Sequence, residues 1–341
     1  MACEIMNITR VWSVAMACLC YCHFVSARLP QGKWRLISLL PVFPIFAALP
    51  LHTTSAFFTA LTAFSITWLA TFKLLLFAFD ASQPSSIPAF IATVALPFRV
   101  RPKNAPSRPH KKLPLNLATE IPIAASLISI LSNYKDRIGP NPVLLAYCCL
   151  VFLMVDIVVE ISSSAGRALL GLELEPASDE PYLATSLREF WGRRWNLTVN
   201  DVLRRTVYRP VRSAAGGGRC AAMAAVMGSF LVSGLMHELL FWYVTRAWPS
   251  WEMTAFFVLH GACVAAEFGL GAAGRDRWRL PWFVGGPLTI GFVVGSSSWL
   301  FFPPLVRNGA DVRVIEEFRY VAKVVKGNIV NFLCFVGSRQ D

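Results

Sequence analysis

The chain has 341 residues, of which 55% are hydrophobic and only 15% charged, with a mean hydropathy of +0.52. Soluble domains carry about 25% charged residues, so this shortage excludes an ordinary soluble enzyme and points to a polytopic membrane protein. The net charge of +12 would suggest nucleic acid in a soluble chain. Here Lys and Arg cluster between apolar runs, the pattern of loops facing anionic lipid, and no nucleic-acid partner is expected.

Eight apolar runs are near the ~20 residues that a helix needs to cross the hydrocarbon. They lie at about 8–27, 35–51, 55–79, 114–132, 143–165, 220–244, 252–272 and 281–303. The fold class expected is therefore all-α, with about eight transmembrane helices. The first run follows Arg10 and ends on Val25-Ser-Ala27, like a secretory signal. The next run begins at once, so the first is read as an uncleaved signal anchor. The second is short and interrupted by Pro41, Pro44 and Pro50. Segment 87–98 is short and ends at Pro97, and reads as interfacial or re-entrant.

Basic residues alternate from loop to loop. Segments 28–34, 80–113, 166–219 and 273–280 are rich in them, with nine arginines in 166–219 alone. The positive-inside rule puts these loops in the cytoplasm. Residues 81–113 form a basic, Pro-rich loop, with a linker near lipid headgroups at 99–113. The tail, 305–341, carries Arg307, Arg313, Arg319, Lys323, Lys326 and Arg339, which resists the outside location that eight spans give it. Its 318–336 stretch has basic residues at helical spacing and suits the membrane surface.

Nine cysteines, an odd number mostly in apolar runs and without a CxxC pair, support neither a zinc site nor a disulfide framework. Gly216-Gly-Gly218 lacks the Walker lysine and reads as a flexible turn. No internal repeat is visible, and paired halves would be the mark of a transporter.

Within the longest loop, Phe190, Trp191 and Trp195 alternate with Arg188, Arg193 and Arg194 and end on Asn196. On a helix, Leu187, Trp191 and Trp195 share one face. Two readings stand. One is an interfacial amphipathic helix. The other is a cofactor platform, with guanidinium pairs for pyrophosphate and aromatic faces for an adenine ring.

His237 sits inside Phe230-Leu-Val-Ser-Gly-Leu-Met-His-Glu-Leu-Leu-Phe-Trp-Tyr-Val244. An ionisable residue in such a run is costly to desolvate and points to function. Imidazole also suits proton transfer near neutral pH. Packing of the histidine across the bundle is the competing reading. A zinc protease motif fails for want of a second histidine at position 241, and no metal is expected. Glu238 lies about 100° round the helix and is read as packing. Asp156 and Glu160, four residues apart, read as structural pairing with Lys73, which otherwise snorkels. His260 and Glu267 share one face of their run and either line a chamber or pack.

The stretches Pro181-Tyr-Leu-Ala-Thr-Ser-Leu187, Glu189-Phe-Trp-Gly-Arg-Arg-Trp-Asn196 and Phe230–Leu240 resemble the plant wax synthases. These are long-chain-alcohol O-fatty-acyltransferases related to the membrane-bound O-acyltransferases. Supporting stretches, in the same order, are Leu36–Pro41, Phe72–Asp80 and Phe256–Gly261. The resemblance therefore spans nearly the whole chain as a single acyltransferase domain, 1–341. Many distant relatives carry an acidic residue where Arg193 and Arg194 stand, which limits transfer of detail from sterol or diacylglycerol enzymes.

The resemblance implies O-acyl transfer from fatty acyl-CoA, a co-substrate rather than a bound cofactor, to a long-chain fatty alcohol or other lipid hydroxyl. It implies a multi-pass protein of the endoplasmic reticulum membrane. His237 matches the family's catalytic histidine and Asn196 the polar residue of the upstream motif. Arg193, Arg194, Trp195, Arg204 and Arg205 are the expected contacts for the CoA head. The same transfer to a sterol or diacylglycerol is the nearest alternative, and a transporter is the competing class.

Overall fold

In a computed structural model of the chain, residues 2–79, 86–101, 116–176, 178–271 and 280–337 are described. The basic cluster at 102–115 and the arginines of 273–280 lie outside the described residues. Among the described residues, seven helical runs are long and apolar enough to cross a bilayer: Glu4–Arg28, Lys33–His52, Ala56–Phe79, Leu117–Tyr134, Pro140–Leu170, Arg219–Thr245 and Trp282–Arg307. The remaining expected span is present as a 20-residue helix, Glu252–Gly271. It is not one of the seven, and Glu252, His260 and Glu267 dilute its apolar content.

In chain order the helices are α1 (Ala2–Phe24), α2 (Lys33–Leu39), α3 (Val42–Ala48), α4 (Ala56–Thr62), α5 (Thr71–Phe79), α6 (Ile87–Ala95), α7 (Leu117–Tyr134) and α8 (Pro140–Leu170). Then come α9 (Leu187–Glu189), α10 (Leu197–Leu203), α11 (Arg209–Ala214), α12 (Arg219–Thr245), α13 (Glu252–Gly271), α14 (Trp282–Ser296), α15 (Pro303–Arg307) and α16 (Ala310–Gly337). One two-residue antiparallel pairing, Arg99–Val100 with Leu174–Glu175, ties the end of the α6 region to the start of the motif loop.

Two apolar cores frame the molecule. One joins α1, α2, α3, α5 and α6 around Leu19, Phe46 and Phe90. The other joins α7, α8 and α16 around Leu131, Leu150 and Ile315. Helix α12 packs along α13 and also meets α4 and α11. Helices α12 and α13 approach closely because Gly234 has no side chain: a Cβ there would meet Thr254 Cα at 2.9 Å. Gly261 does the same opposite Phe230. Small residues at a membrane helix crossing permit this backbone approach.

One buried cation is tied to backbone. Lys73 donates to the carbonyls of Thr93 (2.7 Å), Leu96 (2.7 Å) and Phe98 (3.3 Å), where α6 ends. This corrects both expectations for it: it neither pairs with Asp156 nor snorkels. Asp156 instead lies beside Glu120 of α7 and Ser178, while Glu160 pairs with Arg167. Segment 87–98 is a short helix buried along α1, with His23 against Phe90.

The start of the tail belongs to the bundle. Glu317 of α16 accepts from the backbone N–H groups of Ala56 (2.6 Å) and Phe57 (3.1 Å). Glu4 of α1 accepts from those of Thr54 (3.0 Å) and Ser55 (2.9 Å). Two carboxylates thus satisfy the open N–H groups at the start of α4, where the helix dipole favours negative charge.

Candidate active site

A chamber of about 910 Å³ follows α12 from Val226 to Val244. At 1.5 Å per residue that is roughly 27 Å. The volume is near the upper end of the ~300–1,000 Å³ usual for small-molecule sites. Its wall is overwhelmingly aliphatic and aromatic, and both His237 and Asn196 line it.

Four stretches of π-helical backbone border the chamber: Ala63–Ala70, Phe190–Arg194, Arg204–Tyr208 and Ser297–Phe301. They supply Trp68, Trp191, Tyr208 and Phe301 to the wall. Such insertions into helices recur at functional sites, because the extra residue re-aims side chains.

His237 is held in an aromatic cage. Its ring stacks on Phe257 at 4.3 Å and meets Trp68 edge-on at 5.0 Å, with Phe301 at 5.9 Å. Nδ1 lies 2.7 Å from the Ser233 carbonyl one turn back. A carbonyl only accepts, so in the neutral ring the proton resides on Nδ1 and Nε2 keeps its lone pair. Glu238 is buried and accepts from Thr254 N–H at 3.1 Å, at the start of α13. It holds the helix pair together and does not line the chamber.

Asn196 stands where α10 begins. Its backbone is left-handed, at φ 38° and ψ 65°, a conformation that asparagine tolerates better than most residues. Oδ1 accepts from Val199 N–H at 3.2 Å and caps the helix. That bond fixes which end of the amide is oxygen. The Nδ2 donors have no partner in the protein among the described residues. His237 and Asn196, 41 residues apart in sequence, are thus brought to one cavity, while the ring is oriented by Ser233.

The expected CoA contacts separate. Arg194 is directed inward: it pairs with Glu189 at 2.7 Å and donates to the carbonyls of Asp179 and Glu180. Burial pushes the Glu189 carboxyl up, but the Thr185 N–H and hydroxyl together with Arg194 outweigh it and hold the carboxyl below its ordinary value. Trp195 is in the chamber wall, stacked on Phe190 at 6.1 Å. Arg193 is exposed and away from the chamber. Arg205 lies 3.9 Å from Asp201. Of the five, Arg204 alone stands at a basic opening.

That opening was not anticipated from the sequence. A recess of about 310 Å³ is lined by Arg204, Tyr208, Arg209, Arg212, Ser213 and Gly217. Arg204, Tyr208 and Arg212 also line the chamber, so the two adjoin. The signal was present: positions 204, 208 and 212 fall four apart, on one face of a helix.

A model of the membrane bound O-acyl transferase family matches residues 174–259, the stretch that carries both Asn196 and His237. A long-chain-alcohol O-fatty-acyltransferase of Simmondsia chinensis is 44% identical over 95% of this chain and 97% of its own length. A probable long-chain-alcohol O-fatty-acyltransferase 2 of Arabidopsis thaliana is 38% identical over 97% and 99%. An acyl-CoA–sterol O-acyltransferase 1 of the same plant is 36% identical over 92% and 94%.

Proposed function

The chain belongs to the long-chain-alcohol O-fatty-acyltransferase family of membrane-bound, acyl-CoA-dependent O-acyltransferases, and we propose that it makes wax esters from fatty acyl-CoA and a long-chain fatty alcohol. Enzyme membership removes the transporter as a competing class. The observation that carries the reading is the apolar chamber that both His237 and Asn196 line, with His237 Nε2 unengaged and the Asn196 Oδ1 held by its helix cap.

The chemistry follows from these groups. A fatty alcohol does not ionise near neutral pH and needs a base as its oxygen attacks the thioester carbon. His237 Nε2 takes the hydroxyl proton while the new C–O bond forms. Charge develops on the former carbonyl oxygen, and Asn196 Nδ2 donates to it. Collapse breaks the C–S bond, and the imidazolium returns its proton to the departing CoA sulfur. The aromatic cage keeps water from competing with the alcohol. Arg204, Arg209 and Arg212 hold the phosphates of CoA at the basic opening, with both substrates meeting inside one domain, 1–341, in the endoplasmic reticulum membrane.

A sterol acceptor is the second reading, favoured by the name of one relative. Expression in a host without neutral-lipid acyltransferases, fed separately with fatty alcohols, sterols or diacylglycerol, decides between them. Wax ester from the alcohol feed alone is expected. Steryl ester alone would replace the reading.

A further inference from the structure

Helix α13 carries two polar side chains seven residues apart on one face, His260 and Glu267. Neither lines the chamber, yet both reach the same short segment. Glu267 Oε1 accepts from Leu187 N–H at 3.1 Å and Oε2 from Arg188 N–H at 2.9 Å. Ser186 Oγ accepts from Glu189 N–H at 3.1 Å. The first three backbone donors of α9 are thereby satisfied.

Two residues beyond α9, Trp191 Nε1 donates to His260 Nδ1 at 3.0 Å. An indole N–H only donates, so the neutral His260 ring carries its proton on Nε2. That proton goes to Ser296 Oγ at 2.8 Å, and Ser296 in turn donates to the Phe292 carbonyl at 2.6 Å. His260 is fully buried, and the polar chain around it is complete. It has no nitrogen left for proton transfer, unlike His237.

What His260 holds is part of the chamber. Trp191 lines it and packs at 5.8 Å on Phe257, the ring on which His237 stacks. Five residues beyond Trp191 lies Asn196. From Leu187 to Arg194 the backbone is a three-residue helix followed by one π-helical turn, too short to hold its shape alone. Its conformation is set by what grips it from outside.

We propose that His260 and Glu267 are positioning residues, a two-point clamp that fixes segment 187–196 and so sets Asn196 and the Trp191 wall against His237. The inference rests on the roles given above to Asn196 and His237. It differs from mere packing in requiring the hydrogen bonds and not only the ring volume at position 260.

The test uses the full-length enzyme in detergent, with kcat and KM for acyl-CoA measured for His260→Leu, His260→Gln and Glu267→Ala. The emission of Trp191 is read as the difference from the same protein carrying Trp191→Phe. His260→Leu is expected to lower kcat by roughly tenfold to a hundredfold, the scale of a misplacement of about 1 Å. Its KM for acyl-CoA should stay within about twofold, and the Trp191 emission should shift as the indole loses its acceptor. His260→Gln restores most of the rate, because its amide offers an acceptor to the indole and a donor to Ser296. Glu267→Ala falls in the same direction as His260→Leu. Should His260→Leu not fold, Ser296→Ala cuts only the outer link and should give a smaller fall with the same sign. Wild-type kcat in His260→Leu, or an equal loss in His260→Leu and His260→Gln, overturns the clamp. Full activity of His237→Ala would instead defeat the catalytic reading, and the Trp191 emission shift does not depend on it.

Discussion

The Nδ1 atom of His237 lies 2.7 Å from the carbonyl oxygen of Ser233, on the same helix. This one bond sets the tautomer, aims Nε2 away from the helix backbone and does so without a carboxylate partner. A neutral base oriented by a carbonyl can accept a proton without a second buried charge, which suits an apolar chamber. His237→Ala is therefore expected to lower kcat by about 100-fold to 10,000-fold, the range of a general base. Ester formation at matched levels of folded protein measures it. A change under tenfold would remove His237 from the reaction.

Asn196 performs two tasks with opposite ends of one amide, and substitution can separate them. Asn196→Asp keeps the oxygen that accepts from Val199 N–H and removes the donor. It should fold like the wild type and lose about 100-fold to 1,000-fold in kcat, as when one oxyanion donor is deleted. Thermal unfolding in detergent checks the first half and single-turnover kinetics the second. A large loss of stability with unchanged kcat would make Asn196 a cap only.

The basic opening should act on binding and not on chemistry. Arg204→Ala and Arg212→Ala remove guanidinium groups from the recess beside the chamber. KM for acyl-CoA should rise by about fivefold to tenfold for each, with kcat little changed, the pattern of lost uniform binding. The effect should shrink at high salt, because exposed charges are screened beyond about 10 Å at 0.1 M. Arg194→Ala should differ: with its partners at Glu189, Asp179 and Glu180, its loss should lower stability before it raises KM.

Glu189 links the motif segment to pH. Its folded carboxyl is held below the ordinary value, because Thr185 and Arg194 outweigh burial. A group depressed on folding contributes stability above its unfolded pKa, about 4.3 for glutamate. That contribution is lost as pH falls through the folded value. The midpoint of thermal unfolding should therefore drop below about pH 4 more steeply in the wild type than in Glu189→Gln. Equal slopes would show that the Glu189–Arg194 pair adds no stability at neutral pH.

Much of this site is readable in sequence for a physical reason. His237 is conspicuous because a titratable ring stands in an apolar run, and the spans follow from apolar length alone. Asn196 became a candidate only through resemblance, since a polar residue in a polar loop carries no such contrast. The sequence does not show where Lys73 binds, because its partners are backbone carbonyls at the end of α6, and carbonyls leave no mark in sequence. That Glu120 lies beside Asp156 is not legible in sequence, because the approach crosses from α7 to α8. Arg194 reads like a phosphate ligand, and only the fold shows its guanidinium turned inward.

The crossing of α12 and α13 offers the last check, because it places both His237 and the clamp. A Cβ at Gly234 would meet backbone, Thr254 Cα, at 2.9 Å, with Phe257 Cβ at 3.3 Å. Backbone cannot rotate out of the way, so Gly234→Ala must push the helices apart. Overpacking of this kind costs about 1–3 kcal/mol. The displacement is also felt at Phe257, the ring beneath His237, so kcat should fall along with the unfolding midpoint. Gly269→Ala is the matched control on α13, where the nearest contact is the flexible end of Met223 at 4.0 Å. It should leave stability within about 0.5 kcal/mol of the wild type. If both alanines behave alike, the close approach at Gly234 is not what holds α12 against α13.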